Sequence, residues 1–445
     1  MIVDYTNSKN WKNYQKRLKK FEKRRSFFSR LQIIMIYGGC FLFIVAAIFF
    51  SGSWIYAYLS DIGSYSENNM GISEPVSHRI ARAALPSILN GAELSASPVT
   101  GQYILAKEGA DIIAETSIDT SLQNYIARFL QRSLTRQAAV IVLKPASGQI
   151  LAMAGYSKDG DIEGENICLQ ANLPAASLFK IVSAAAAIEA RNFTPGKSLY
   201  FLGGKYTLYK NQLTQDKGRW ATSTTFQSAF SGSINPVFGK IGIYDLGQEL
   251  LTKYADKFLF NHEIPFDLSL GMSRIKVPDD AFGLAEIASG FNKRTLISPI
   301  HATLLTAAVA NNGTVMRPWI VSALKDGTGK ILYTTSSSKL ANPINKNTAE
   351  HMKSLMKATV KSGTCYSAFL PLRQKKLFSN IALGAKSGTI NDRNDKYKYD
   401  WLTAYAMPET GDKGISITVF AVHGEKLGIR AKDIAKYIID YYYSS

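Results

Sequence analysis

PAASLFKIVSAAAAIEA, residues 174–190, is the stretch that decides how this 445-residue chain folds. It opens on Pro174 and carries Leu178, Ile181, Val182, Ala185 and Ile188 at helical spacing, which predicts a helix with an apolar face. Near its start Ser177 and Lys180 stand three residues apart, so both side chains share one face and the amine can reach the hydroxyl. A serine hydroxyl is a weak nucleophile until a neighbouring base takes its proton. A lysine can be that base if burial and nearby positive charge pull its pKa down. The same Ser-x-x-Lys spacing recurs at Ser273/Lys276, Ser336/Lys339 and Ser354/Lys357, where a solvated helix face explains it. Only the copy at Ser177 lies near the start of an apolar helix after a proline, where free backbone N–H groups can hold an oxyanion.

Two further motifs lie C-terminal to it. Ser233 and Asn235 form Ser-x-Asn within FSGSINPVFGKIG. A second hydroxyl there could relay a proton, and the carboxamide could hold a substrate amide as donor and acceptor together. Ser and Asn also favour turns and caps, and the same spacing at Ser8/Asn10 and Ser66/Asn68 lies outside any plausible catalytic domain. Lys-Ser-Gly-Thr occurs twice, at 361–364 and 386–389. The second copy lies in a strand-like run, IALGAKSGTI, where Lys386 could bind a carboxylate and Gly388 would let a substrate backbone approach. The first copy closes a helix-like run, EHMKSLMKATV, so Gly363 reads as a cap and Lys361 as structural.

Around these motifs the chain alternates strand-like and helix-like segments, which predicts an α+β layered domain. AVIVL (139–143), the turn Pro145-Ala146-Ser147-Gly148 and the run 149–155 read as a hairpin. A helix is expected over 298–310, stopped by Asn311-Asn312-Gly313. Strands at 381–390, 402–407 and 415–422 and a helix over 430–443 make an antiparallel meander closed by a helix.

Taken in order, Ser-x-x-Lys, Ser-x-Asn and Lys-Ser-Gly, 56 and 153 residues apart, resemble the signature of penicillin-binding proteins and serine β-lactamases. SIDTSLQNYI, AAVIVLKPASGQILAMAG, PAASLFK, SPIHATLLTAAVANNGTVMRP and the Gly-Thr at 363–364 also resemble their counterparts in the transpeptidase domain, over residues 116–445. The resemblance implies an α+β sandwich, an antiparallel sheet covered by helices. It also implies a peptidoglycan D,D-transpeptidase that cross-links stem peptides through a Ser177 acyl-enzyme and is inhibited by β-lactams. Carried over residue by residue, Ser177 is the nucleophile, Lys180 its base and Ser233 a proton relay. Asn235 positions the donor peptide, while Lys386 and Ser387, beside Gly388 and Thr389, bind the terminal carboxylate. The backbone N–H groups of Ser177 and Thr389 form the oxyanion hole. Ala175-Ala176 replaces the Pro-Gly often found before the nucleophile.

The family also contains hydrolases. No Glu-x-x-Leu-Asn segment of the kind class A β-lactamases use follows Ser233. A D,D-carboxypeptidase, with water in place of the acceptor amine, is compatible with the three motifs. A catalytically silent scaffold of the same fold would have no need for Lys180 or Lys386. No cofactor and no metal is expected: the five histidines include no closely spaced pair, and no Cys-x-x-Cys exists.

The N-terminal part reads separately. Residues 1–30 hold ten basic side chains against Asp4 and Glu22, supplying +8 of the chain's +18. Leu31–Ser60 carries no charge, and LQIIMIYGGCFLFIVAAIFF is long enough to span a hydrocarbon core of ~30 Å. Trp54, Tyr56 and Tyr58 follow at the place of an interfacial aromatic belt. The basic surplus therefore reads as a topology signal rather than a nucleic-acid site. The expected division is a cytoplasmic tail (1–30), a single transmembrane helix (31–58), a juxtamembrane stalk or small pedestal (59–115) and the transpeptidase domain (116–445). The catalytic domain would lie outside the cytoplasm of a bacterial plasma membrane. Nothing between the span and residue 116 resembles a glycosyltransferase domain, which implies a separate glycan polymerase as partner. Cys40 falls within the span, while Cys168 and Cys365 could pair in an oxidising compartment.

Overall fold

The structure is a computed structural model and describes residues 80–89, 100–107, 110–158, 166–215, 218–392, 394–424 and 427–445. The expected tail and transmembrane helix lie outside these residues. Among the described residues no helix is long and apolar enough to cross a membrane.

The centre is a five-stranded antiparallel sheet. Its strands are β3 (Gln137–Leu143), β4 (Ile150–Ser157), β7 (Ile381–Asn391), β8 (Lys398–Pro408) and β9 (Ile415–His423), in the order β7-β8-β9-β3-β4. The expected hairpin and meander both belong to it. Its strands read as almost unbroken apolar runs because both faces are covered. Along β3, Ala138, Val140 and Val142 enter one core while Ala139, Ile141 and Leu143 enter the other.

On the first face lie helices α1 (Thr120–Gln131), α7 (Tyr366–Gln374) and α8 (Ala431–Ser444), through Leu122, Ile126, Phe369, Leu372, Ile434 and Ile438. On the second lie α2 (Lys180–Arg191), α5 (Pro299–Ala310) and α6 (Lys346–Lys361). Helix α5 is buried along its whole length, capped by Ser298, whose hydroxyl accepts from His301 N–H at 3.2 Å. Its Thr306 hydroxyl meets Thr403 at 2.6 Å, and Thr403 meets Thr418 at 2.9 Å, so the buried hydroxyls of helix and sheet satisfy one another.

A second sheet has the order β1-β2-β5-β6, built from Gln102–Lys107, Ala110–Thr116, Val321–Asp326 and Ile331–Thr334. The boundary expected at residue 115 falls inside β2, which pairs along β5 from Thr116 to Ile112. Glu115 is further tied there by Lys325 Nζ at 2.7 Å. Strands β1 and β2 therefore share a sheet with β5 and β6.

One expectation changes in detail. The stretch 174–190 is not one helix. Leu173–Pro174 is a short strand paired with Leu296–Ile297, Ala176–Phe179 is a 3₁₀ turn, and the α-helix begins only at Lys180. Tertiary hydrogen bonds hold the start open: Trp401 Nε1–H donates to Pro174 O at 2.9 Å and Ala175 N–H donates to Thr295 O at 2.8 Å. Cys168 and Cys365 are free thiols, in the cores on opposite faces of the sheet, so no bridge joins them.

Candidate active site

The 3₁₀ turn places Ser177. With three residues per turn, side chains three apart eclipse, so Ser177 and Lys180 stack more directly than on an α-helix. Lys180 Nζ lies 2.9 Å from Ser177 Oγ. Ala176, just before the nucleophile, is held at φ 48°, a left-handed conformation costly for a residue with a Cβ. Gly290 makes this turn possible, because a Cβ there would lie 2.0 Å from Ala176 O. Gly290 follows α4 (Ala281–Ser289), whose last residue turns its carbonyl into the site.

Lys180 is fully buried and has two more contacts, Asn235 Oδ1 at 2.7 Å and Ser289 O at 2.5 Å. Burial pushes its ammonium well below the usual lysine range, and the neighbouring Lys386 charge adds to the effect. A neutral amine has two N–H donors and one lone pair. In the neutral form, with one N–H on each of the two carbonyl oxygens, the lone pair would be left for the Ser177 hydroxyl proton.

Ser233 and Asn235 come from the loop between α3 (Phe226–Ser231) and the short helix that Asn235 begins. Ser233 has φ 55°, which turns the loop back toward the site. Asn235 is pinned on its other side by Nδ2–H donating to Tyr206 O at 3.0 Å and N–H donating to Lys205 O at 2.7 Å. Its carboxamide oxygen is thereby aimed at Lys180.

Lys386 comes from β7, the edge strand. Its Nζ donates to Ser233 Oγ at 3.0 Å and Ser387 O at 2.7 Å. Burial lowers its ammonium to about 7. Gly388 faces the nucleophile: a Cβ at this position would sit 3.3 Å from Ser177 N. Ser387 is half-buried and Thr389 exposed. An edge strand leaves alternate backbone N–H and C=O groups unpaired, and here that edge runs past Ser177.

The structure thus gathers Ser177, Lys180, Ser233, Asn235, Lys386, Ser387, Gly388 and Thr389 into one cluster. It also adds groups that the sequence reading did not assign. The Ser289 carbonyl contributes a backbone atom that no residue letter announces. Thr364, from the first Lys-Ser-Gly-Thr copy, meets Ser387 Oγ at 2.6 Å, and its N–H donates to Ser231 O at 3.0 Å. The resemblance of Gly363-Thr364 to the transpeptidase pattern was the available signal for it. Asp400 and Arg430 stand behind Thr389. Lys361 is exposed at the end of α6.

A Ser–Lys dyad facing the lysine of an antiparallel edge strand, on a helix-covered α+β sandwich, defines the serine penicillin-recognising class of fold. Residues 138–440 match the family described as penicillin binding protein transpeptidase domain, and the chain belongs to that family. It is 22% identical over 319 residues, 64% of its length, to peptidoglycan D,D-transpeptidase PbpA of Mycobacterium tuberculosis. It spans 62% of that relative's length. It is 24% identical over 70% of its length to a peptidoglycan D,D-transpeptidase FtsI homolog of Mesostigma viride, covering 58% of that protein. Among solved structures it resembles the D,D-transpeptidase domain of a peptidoglycan glycosyltransferase from Eggerthella lenta. There the TM-score is 0.62 at 20% identity, covering 83% of this chain and 91% of that one. It also resembles PBPA from Mycobacterium tuberculosis, with a TM-score of 0.59 at 20% identity over 74% and 80% of the two chains. That protein is also described as an acyl-enzyme complex with imipenem.

Proposed function

We propose that this chain is a peptidoglycan D,D-transpeptidase working through a Ser177 acyl-enzyme. The observation that carries the reading is the buried Lys180 Nζ 2.9 Å from Ser177 Oγ, with Asn235 Oδ1 and Ser289 O as its other hydrogen-bond partners. Ser177 Oγ attacks the carbonyl of the penultimate D-alanine of a stem peptide as its proton passes to Lys180 Nζ. The peptide bond breaks, the leaving D-alanine amine takes that proton through Ser233, and an ester joins the stem peptide to Ser177. A second stem-peptide amine then attacks the ester, its proton passing through Lys180 to Ser177 Oγ, which is released as the cross-link's amide bond forms. Lys386 and Ser387 face the terminal carboxylate, and Asn235 the donor backbone. The N–H groups of Ser177 and Thr389 serve the oxyanion, where losing one donor typically costs ~10²–10³ in rate.

The names of the relatives support the same substrate class. The wider placement belongs to this reading too. Residues 31–58 span a bacterial plasma membrane with residues 1–30 in the cytoplasm, the transpeptidase domain works on the outer side, and a separate polymerase supplies the glycan. Incubating the full chain, purified in detergent, with a fluorescent penicillin tests the core of it. A stable labelled band that Ser177→Ala abolishes is expected. An unlabelled wild type, or a label lost within seconds, would overturn the reading in favour of a scaffold or a hydrolase respectively.

A further inference from the structure

Beside Thr389 a buried carboxylate, Asp400, is held by several donors. Asp400 lies on β8 as the cross-strand partner of Thr389. Arg430, immediately before α8, grips it with Nε 2.6 Å from Oδ2 and Nη2 2.9 Å from Oδ1. Ala431 N–H donates to Oδ2 at 3.0 Å, and His423 Nε2 stands 3.5 Å from the same oxygen. Burial opposes ionisation of Asp400, but the hydrogen bonds from Arg430 and His423 outweigh it and hold the carboxyl well below the usual range. The Thr389 hydroxyl donates to Oδ1 at 3.3 Å and accepts from Arg430 Nη2 at 3.5 Å. No other side-chain hydrogen bond to Thr389 exists among the described residues.

Thr389 sits near the exposed end of the edge strand, one residue past the glycine that abuts Ser177. Among the described residues β7 has no neighbouring strand on its outer side. We propose that the Arg430–Asp400 pair is a positioning device for the site, clamping the Thr389 side chain and thereby fixing the Thr389 backbone N–H as an oxyanion donor opposite Ser177. This rests on the acyl-enzyme reading above. Arg430 and Asp400 act through Thr389 and are positioning residues. An oxyanion donor works because it is in place before charge develops, so slack in the strand subtracts from the acylation step rather than from ligand binding.

Asp400 also receives the first N–H of α8, so removing it would disturb the fold. The informative changes are Thr389→Val, Thr389→Ser and Arg430→Lys, the last keeping a cation beside the carboxylate without the two-pronged grip. Stopped-flow acylation of the full chain by benzylpenicillin separates the acylation rate constant from the pre-acylation dissociation constant. Thr389→Val is expected to lower the rate constant on the order of 10- to 100-fold, the cost of a slightly misplaced group, with the dissociation constant nearly unchanged. Thr389→Ser keeps the tethered hydroxyl and should stay within ~3-fold of wild type, as expected for a conservative change. Arg430→Lys should slow acylation in the wild-type background and have no further effect on Thr389→Val, the non-additivity of one shared path. A loss confined to the dissociation constant, additive losses, or an unaltered Thr389→Val would each overturn the clamp. If the wild type is not acylated at all, the acyl-enzyme reading fails first and takes the clamp with it.

Discussion

The same four residues, Lys-Ser-Gly-Thr, end a helix at 361–364 and run along an edge strand at 386–389. At the first place Lys361 is exposed, Ser362 caps α6 with its N–H on Ala358 O, and Gly363 N–H meets the same carbonyl at 3.0 Å. At the second, Lys386 is fully buried against Ser233, and the glycine lies against the nucleophile's backbone. The difference comes from the preceding residues. EHMKSLMKATV buries every third or fourth residue and winds into α6, whereas IALGAKSGTI is extended between a core and an open edge. A motif's chemistry belongs to the element that presents it, not to its letters.

The sharpest way to break this contrast is to remove each lysine. Lys386→Met replaces a buried amine with a side chain of similar length, and acylation by penicillin should fall on the order of 10–10³-fold, the usual weight of a hydrogen-bonded partner for a ligand carboxylate. Lys361→Met takes away an exposed ammonium and should change the same rate constant less than ~2-fold, as most surface changes do. Comparable losses in both would mean that the wrong copy has been placed in the site.

The glycines sharpen the contrast next. A Cβ on Gly363 would lie 2.4 Å from Ser231 O and 2.8 Å from the Thr359 Cα, both main-chain atoms that cannot swing away. Gly363→Ala should therefore cost about 1–3 kcal/mol of stability by overpacking, read as a drop in Tm. A Cβ on Gly388 would meet Ala176 Cβ and Ser177 N at 3.3 Å, tight but short of a clash. Gly388→Ala should leave Tm close to wild type and slow acylation instead, because the pressure falls on the nucleophile's own backbone. A Gly388→Ala protein that loses Tm but acylates normally would reverse the assignment.

Much of this was legible in the sequence. Apolar runs and turn residues locate the sheet strands, and Ser298 and Asn311-Asn312-Gly313 mark the ends of α5 within a residue. The three motifs name the side chains that meet. What stayed hidden is what letters do not carry. The strand, 3₁₀ turn and helix within 174–191 are separated by hydrogen bonds from Trp401 and to Thr295, remote in sequence. The Ser289 carbonyl is a backbone atom. Thr364 is reached only because α6 ends beside Ser231, and Arg430 finds Asp400 only once the β8–β9 register is set. The helix end that looked merely structural therefore still touches the strand copy, through the Thr364–Ser387 hydroxyl pair.

The smallest expected effect is electrical and separates the two lysines without reference to catalysis. Burial lowers Lys386 from 10.5 to about 7. Below pH 7 the lysine is charged in the folded and unfolded chain alike, so the cost of burying the charge is fully present. Between about 7 and 10.5 the unfolded chain still binds the proton that the folded chain has released, so stability rises with pH; above 10.5 both are neutral and the cost is gone. Lys386→Met removes this dependence. The stability of the wild type relative to that variant should climb by about 1 kcal/mol between pH 7 and 8, measured by chemical unfolding at matched ionic strength. A difference flat across that window would mean that Lys386 keeps its proton inside the fold. It would then meet Ser233 as a standing cation, and the two copies would differ in burial alone rather than in charge.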